Sequence, residues 1–258
     1  SDSGGGAGIQ ADLKTITALG GYAATAVSAV TVQNTLGVTG VHEIPASVVA
    51  AQIESVLGDI GADVVKTGML ASVQVIEAVA GALERAGPSV PRIVDPVMRA
   101  KGGHALLAED AAATLSRLLV NGAALVTPNL PEAEALTGRS IKTEEDMEQA
   151  IGDLRALGAG AVLLKGGHLE GSQVVDFLIT KDDVIRYEDS RIDTNATHGT
   201  GCTLASAIAA GMGQGLSMAD AISQARAYVR RAMETAPGLG HGHGPLNHGH
   251  TVKPFMHN

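Results

Sequence analysis

Thr197-His198-Gly199-Thr200-Gly201-Cys202-Thr203 runs without a break into Leu204, Ile208 and Met212, which recur at helical spacing. A glycine-flanked turn that opens a helix leaves several backbone N–H groups unpaired and pointing one way. Together with the positive end of the helix dipole they suit a phosphate or a developing phosphoryl oxyanion. Cys202, the only cysteine of the chain, falls in that first turn, where the dipole favours its thiolate. An anion cradle beside a reactive group points to group transfer.

Outward from this turn the chain alternates between two periodicities. Ile9, Leu13, Ile16 and Leu19 repeat as a helix that stops at Gly20-Gly21, and Tyr22 to Val32 reads as a buried strand. Pro45 and Ser47 open a helix to about Leu57, with Ser47 as its N-cap. Strands are expected at Asp63–Thr67, Arg92–Val97, Ala124–Thr127 and Ala161–Lys165. Helices are expected at Ser72–Ala86, Leu106–Leu119, Pro131–Leu136 and Thr143–Leu157. Val174–Thr180 and Val184–Glu188 flank Lys181-Asp182-Asp183 as a hairpin, and helices near Gly201–Met212 and Ser217–Thr235 follow. Strands alternating with helices of this length predict an α/β fold, a mostly parallel sheet in a three-layer α/β/α sandwich. With no linker or repeat in view, residues 1–258 read as a single domain, ending in a polar tail from 237 onward.

Bulk composition narrows the function. Of the 258 residues 45% are apolar but only 2% aromatic, so the core is built from Ala, Val, Leu and Ile, as parallel sheets under helices prefer. A net charge of −9 and few stacking rings argue against nucleic acid as a partner. A single cysteine excludes an intramolecular disulfide and suits a reducing compartment. No apolar run is long enough to span a membrane, and no signal peptide is visible; a cytoplasmic protein with a small-molecule substrate is expected. The chain opens on Ser1-Asp2-Ser3-Gly4-Gly5-Gly6-Ala7-Gly8, a glycine loop that leads into a helix with no strand before it. Such loops normally follow a strand, so the N-terminal strand of the fold is expected to be missing from this chain. The loop lacks the Lys-Ser/Thr ending of a Walker motif and is read as a place of close backbone approach to a small molecule.

In open parallel sheets ligands bind beyond the carboxyl ends of the strands. There stand Gln33-Asn34, Lys66-Thr67-Gly68-Met69, Asp95-Pro96-Val97, Asn129 with Glu132 one turn on, and Lys165-Gly166-Gly167. Phosphoryl transfer needs a cation for the phosphates, oxygen ligands for Mg²⁺ or its waters, and donors for the moving charge. Lys165 supplies the first; Asp95, Asn129 and Glu132 the second; residues 199–202 the third. Each has a plainer competitor. Asp95-Pro96 also suits a simple turn, Asn129 and Glu132 a helix cap, and Cys202 a small packed hydrophobe. The histidines of the tail, His241, His243, His248 and His250, lack the company of a structured metal site and read as loop.

The ordered set of motifs resembles the hydroxymethylpyrimidine/phosphomethylpyrimidine kinases, ribokinase-fold enzymes of thiamine biosynthesis. It runs from Ser1-Asp2-Ser3-Gly4-Gly5-Gly6-Ala7-Gly8-Ile9-Gln10-Ala11-Asp12 through Gln33-Asn34-Thr35, Lys66-Thr67-Gly68-Met69-Leu70 and Val94-Asp95-Pro96-Val97-Met98 with Lys101-Gly102-Gly103. It continues in Thr127-Pro128-Asn129-Leu130-Pro131-Glu132, Leu164-Lys165-Gly166-Gly167-His168, His198-Gly199-Thr200-Gly201-Cys202-Thr203 and Gly242-His243-Gly244-Pro245-Leu246. The resemblance implies ATP- and Mg²⁺-dependent phosphorylation of the pyrimidine alcohol and then of its monophosphate, by a homodimer. It implies that Gln33 hydrogen-bonds the aminopyrimidine, with Ala7, Asp12, Met69 and Val97 lining the pocket. Asn129, Glu132 and Asp95 serve nucleotide and magnesium, Lys165 contacts phosphate, and Gly199, Thr200, Gly201 and Cys202 form the anion hole, with Cys202 as base or polarising group. Val32 stands where the family has alanine. The alternatives are a pyridoxal kinase-like activity, alone or in addition, and a non-catalytic pyrimidine-binding module.

Overall fold

The computed structural model describes residues 1–98 and 111–254. Within it the chain gathers into two compact units, Ser1–His42 with Ile192–Asn258, and Glu43–Arg191.

The first unit begins with Ser1 and Asp2 alongside residues 29–31: the Ser1 amino group donates to the Ala29 carbonyl (2.8 Å), and Asp2 forms a parallel bridge with Thr31. Helix α1 (Gly8–Ala18) follows, then strands β1 (Ala29–Asn34) and β2 (Gly37–Glu43), which pair as a two-stranded sheet. The strand expected from Tyr22 onward is corrected here: residues 21–28 carry neither helix nor strand, and Tyr22 is 83% exposed. The apolar run alone suggested burial, but the ladder forms only where the turn after Asn34 returns a partner; the Asn34 side chain accepts the Leu36 N–H (2.9 Å) and fixes that turn.

In the second unit, α2 (Ala46–Asp59) is capped by Pro45 rather than Ser47, because Pro45 itself takes the extended conformation before the first helical residue. Strand β3 (Val65–Thr67), α3 (Val73–Ala86) and β4 (Arg92–Val94) follow. Helix α4 (Ala111–Leu115) widens into a π-helical turn over Ser116–Val120. The first residues of the helix expected from Leu106, and the Lys101-Gly102-Gly103 element, lie outside the described residues. Next come β5 (Leu125–Val126), α5 (Leu130–Thr137), α6 (Glu144–Gln149) and α7 (Ile151–Arg155). The single helix expected over Thr143–Leu157 is thus broken at Ala150, whose ψ of −10° ends one ladder before the next begins. Strands β6 (Ala161–Lys165), β7 (Gln173–Thr180) and β8 (Val184–Ser190) complete the sheet.

Its order is β3-β4-β5-β6-β7-β8, parallel from β3 to β6 and antiparallel thereafter, with the hairpin as expected. One face packs Val94 and Val126 against Val49 of α2, Val75, Ile76 and Val79 of α3 and Leu115 of α4. Farther along, Val162 and Leu164 meet Leu130, Met147 and Leu154 of α5–α7. Ile93, Leu125 and Leu163 alternate with these residues and are themselves fully buried, so the strands are covered on both faces. Asp95 and Thr127 continue that second alternation just past β4 and β5, and Lys165 continues it as the last residue of β6.

The chain then returns to the first unit through α8 (Thr200–Gly213) and α9 (Met218–Glu234). Helix α8 is apolar or small all round and is buried from Thr203 to Gly211, as a core helix must be. Helix α9 buries only the stripe Ala221, Ile222, Ala225, Tyr228 and Ala232, and Ser217 caps it by accepting the Asp220 N–H (3.2 Å).

Candidate active site

In the second unit the parallel register lines up polar groups at the carboxyl ends of the strands. The β5–β6 pairing extends past the strands to a bridge between Asn129 and Lys165, where the Lys165 N–H donates to the Pro128 carbonyl (2.9 Å). Lys165 Nζ lies 3.2 Å from Asp95 Oδ1, which also accepts the Thr127 hydroxyl at 3.2 Å. Asp95 is 2% exposed and Glu132 6%. Asn129 and Glu132 form the helix cap that their spacing allows. Asn129 Oδ1 accepts the Glu132 N–H (2.9 Å), and Glu132 Oε2 accepts the Asn129 N–H (2.8 Å). The cap carries a charge into a poorly solvated place. Burial pushes the Glu132 carboxyl up to about 7; Lys165 opposes the rise and the Asp95 carboxylate adds to it. With both acids ionised, one lysine leaves the cluster a net negative charge.

Among the described residues no group of three or more His, Cys, Asp or Glu side chains could hold a metal ion. Asp95, Glu132 and the Asn129 amide fit a different demand. Mg²⁺ keeps several waters and takes one or two protein carboxylates together with substrate phosphates.

In the first unit Gly199, at φ +80°, opens α8 with no side-chain hydrogen bond at its cap, and Thr200, Gly201 and the half-buried Cys202 form the first turn. A Cβ on Gly199 would overlap the Gly6 carbonyl oxygen, and one on Gly6 would meet the His198 ring. The glycines of the N-terminal loop therefore serve the approach of two backbone segments to one another. The N–H donors of that loop turn inward onto Asp2: Gly4 to Oδ1 at 2.8 Å, Gly6 and Ala7 to Oδ2 at 3.0 and 2.8 Å. His198 Nε2 also reaches Asp2 Oδ2, at 2.8 Å. Burial alone would raise the Asp2 pKa. Hydrogen bonds from His198, Gln33 and the Ala7 and Gly4 amides more than reverse this and hold it well below the usual carboxylate range.

Gln33, near the end of β1, lies beside this network, its Nε2 3.4 Å from His198 Nε2. Asp12 on α1 accepts the Ser206 hydroxyl of α8 at 2.7 Å. Met69 follows β3 and Val97 follows β4, where the Val97 N–H donates to the Asp95 carbonyl (2.8 Å) in a tight turn. In the tail, His248 is 4% exposed, its Nε2 is 3.0 Å from the Thr203 hydroxyl, and burial holds its pKa down to about 4. It is a packed core histidine. Sequence reasoning gave no role to Asp2, Thr127 or His198. The one signal for Asp2 was an aspartate just ahead of a glycine run, the composition of a side chain that accepts its own loop's N–H groups.

A covered, mostly parallel sheet with a lysine–carboxylate cluster at its strand ends and a glycine-opened helix elsewhere in the chain is the chemistry of a small-molecule phosphotransferase of the ribokinase-like class. The solved ADP complex of Bacillus subtilis pyridoxal kinase has the same fold, with a TM-score of 0.88 and 36% identity over 96% of this chain and 94% of that one. The family model for phosphomethylpyrimidine kinase matches residues 2–247. The hydroxymethylpyrimidine/phosphomethylpyrimidine kinase of Rhizobium meliloti is 47% identical over 97% of this chain and 94% of its own length. The bifunctional thiamine biosynthesis protein of Geobacter sulfurreducens is 50% identical over 96% of this chain, which spans only 50% of that protein. The chain belongs to the phosphomethylpyrimidine kinase family. It phosphorylates hydroxymethylpyrimidine and phosphomethylpyrimidine in thiamine biosynthesis.

Proposed function

We propose that ATP is the donor and that the residues described above divide the work of transfer. Lys165, held among the ends of β4, β5 and β6, contacts the nucleotide phosphates as a fixed cation. Asp95, Asn129 and Glu132 hold Mg²⁺ through its water shell; the raised pKa of Glu132 supports this, because a divalent cation relieves the cost of keeping that carboxylate ionised. Bound there, the ion would neutralise phosphate charge. The N–H groups of Gly199, Thr200, Gly201 and Cys202 steady the phosphoryl oxygens. The Cys202 thiol accepts or polarises the proton of the incoming alcohol. Gln33 pairs with a ring nitrogen and the amino group of the pyrimidine together, and the resemblance supports Ala7, Asp12, Met69 and Val97 as further substrate-contacting residues. The family match, running from residue 2 to 247 through both units, supports one catalytic domain, and the resemblance supports a cytoplasmic homodimer.

The observation that carries the reading is the cluster of two buried acids, Asp95 after β4 and Glu132 in the first turn of α5, with Lys165 at the end of β6. The test is steady-state turnover with Mg-ATP of hydroxymethylpyrimidine, its monophosphate and pyridoxal, by the native chain and by Cys202→Ala. The native chain is expected to prefer both pyrimidines strongly over pyridoxal, and Cys202→Ala to bind the alcohol by calorimetry while losing most turnover. Equal rates with pyridoxal would overturn the specificity, and a full-rate variant would remove the thiol from the mechanism.

A further inference from the structure

We infer that Asp2 is a positioning residue for substrate recognition: its carboxylate draws the Gln33 side-chain NH₂ toward itself and so fixes which edge of that amide meets the pyrimidine. The inference rests on the role proposed for Gln33.

Asp2 is 2% exposed, and an ionised carboxylate only accepts hydrogen bonds. His198 Nε2, 2.8 Å from Asp2 Oδ2, must therefore be the protonated ring nitrogen that donates to it. Gln33 Nε2 lies 3.4 Å from that same nitrogen. Two N–H donors do not bond one another, and the Gln33 side chain is itself among the hydrogen-bond partners of the Asp2 carboxylate, so both nitrogens serve that one acceptor. Turning the amide over would set Gln33 Oε1 against a buried anion, an arrangement that costs energy on both sides. The main chain is held from the same loop: Ser3 Oγ donates to the Gln33 carbonyl (2.8 Å) and accepts the Gln33 N–H (3.0 Å). Backbone and side chain of Gln33 are thus registered on the segment that carries Asp2. With one hydrogen of its NH₂ committed, the amide keeps one donor and the Oε1 acceptor side by side. That edge complements a ring nitrogen beside an exocyclic amine. An amide free to rotate offers either edge and discriminates less.

The readout is the ratio of kcat/KM for hydroxymethylpyrimidine to that for its deamino analogue, measured on the whole chain. Asp2→Asn is expected to lower this ratio about tenfold or more, the worth of one charge-assisted hydrogen bond, mainly through KM for the pyrimidine and with KM for ATP unchanged. In a Gln33→Ala background the same substitution is expected to leave the ratio where Gln33→Ala puts it. A merely structural Asp2 would slow both substrates alike and keep the ratio, which would overturn the inference. If Gln33→Ala itself leaves the ratio intact, the role of Gln33 is what fails. The Asp2 link is then decided by nitrogen-15 spectra of the native chain, which also serve should Asp2→Asn not fold. One side-chain NH₂ proton of Gln33, assigned by its loss in Gln33→Ala, is expected to resist exchange with water; free exchange of both refutes the link.

Discussion

Glu132→Gln removes a buried charge while keeping an acceptor for the Asn129 N–H, so the helix cap survives. The folded protein moves this carboxyl from the ordinary 4.5 to about 7. Between those two values the native state keeps a proton that the unfolded chain has lost. Stability therefore falls as pH rises through the window, and above about 7 the whole cost of ionising the group in place is present. That cost is about 3 kcal/mol, because each tenfold change in proton affinity is worth about 1.4 kcal/mol. Lys165 stays paired with Asp95 at 3.2 Å in the variant, so no second charge is orphaned. Urea denaturation followed by circular dichroism from pH 4 to 9 should show the two proteins equally stable near pH 4. The variant should gain through the window and lead by about 3 kcal/mol at the alkaline end. Mg²⁺ should narrow the gap by stabilising only the native chain, and its removal by a chelator should reopen it. A gap that does not change with pH, or a variant less stable above pH 7, would refute the reasoning.

Gly199→Ala forces a side chain into φ +80° and against the Gly6 carbonyl, so it is expected to lower stability by more than about 1 kcal/mol and to cut turnover further by shifting the start of α8. Thermal denaturation beside kcat checks this, and an unchanged melting temperature would count against the close approach. Lys165→Met leaves the Asp95 carboxylate buried without its cation and is expected to cost about 3–5 kcal/mol. Asp95→Asn in the same chain should recover most of that stability without recovering activity, and a failure to recover would show that the two side chains do not act as a pair.

Much of the second unit was legible because its signals are local. Ala161–Lys165 is a strand over the expected residues, and the Asn129–Glu132 spacing announced the cap that the chain makes. The plainer reading of that pair and the functional one turn out to be compatible, since the cap itself carries Glu132 into the buried cluster. The misreadings share a cause. Tyr22 to Val32 had the composition of a buried strand, but a strand is defined by its partner. The partner β2, with Gly37 and Gly40 in it, carried too weak a pattern to be recognised. Ala150 breaks a helix in a stretch whose apolar spacing runs straight through the break.

By itself the sequence determined the alternation of strand and helix, the polar groups at the strand ends and the glycine turn ahead of Cys202, because spacing and backbone conformation are properties of neighbouring residues. The tertiary structure alone decided that Glu132 titrates near neutrality, that the N-terminal loop spends its donors on Asp2, and that Asp2 meets His198, 196 residues further along the chain. Those outcomes depend on burial and on contacts between residues far apart in sequence. Desolvation and long-range hydrogen bonding exist only once the chain has closed around them.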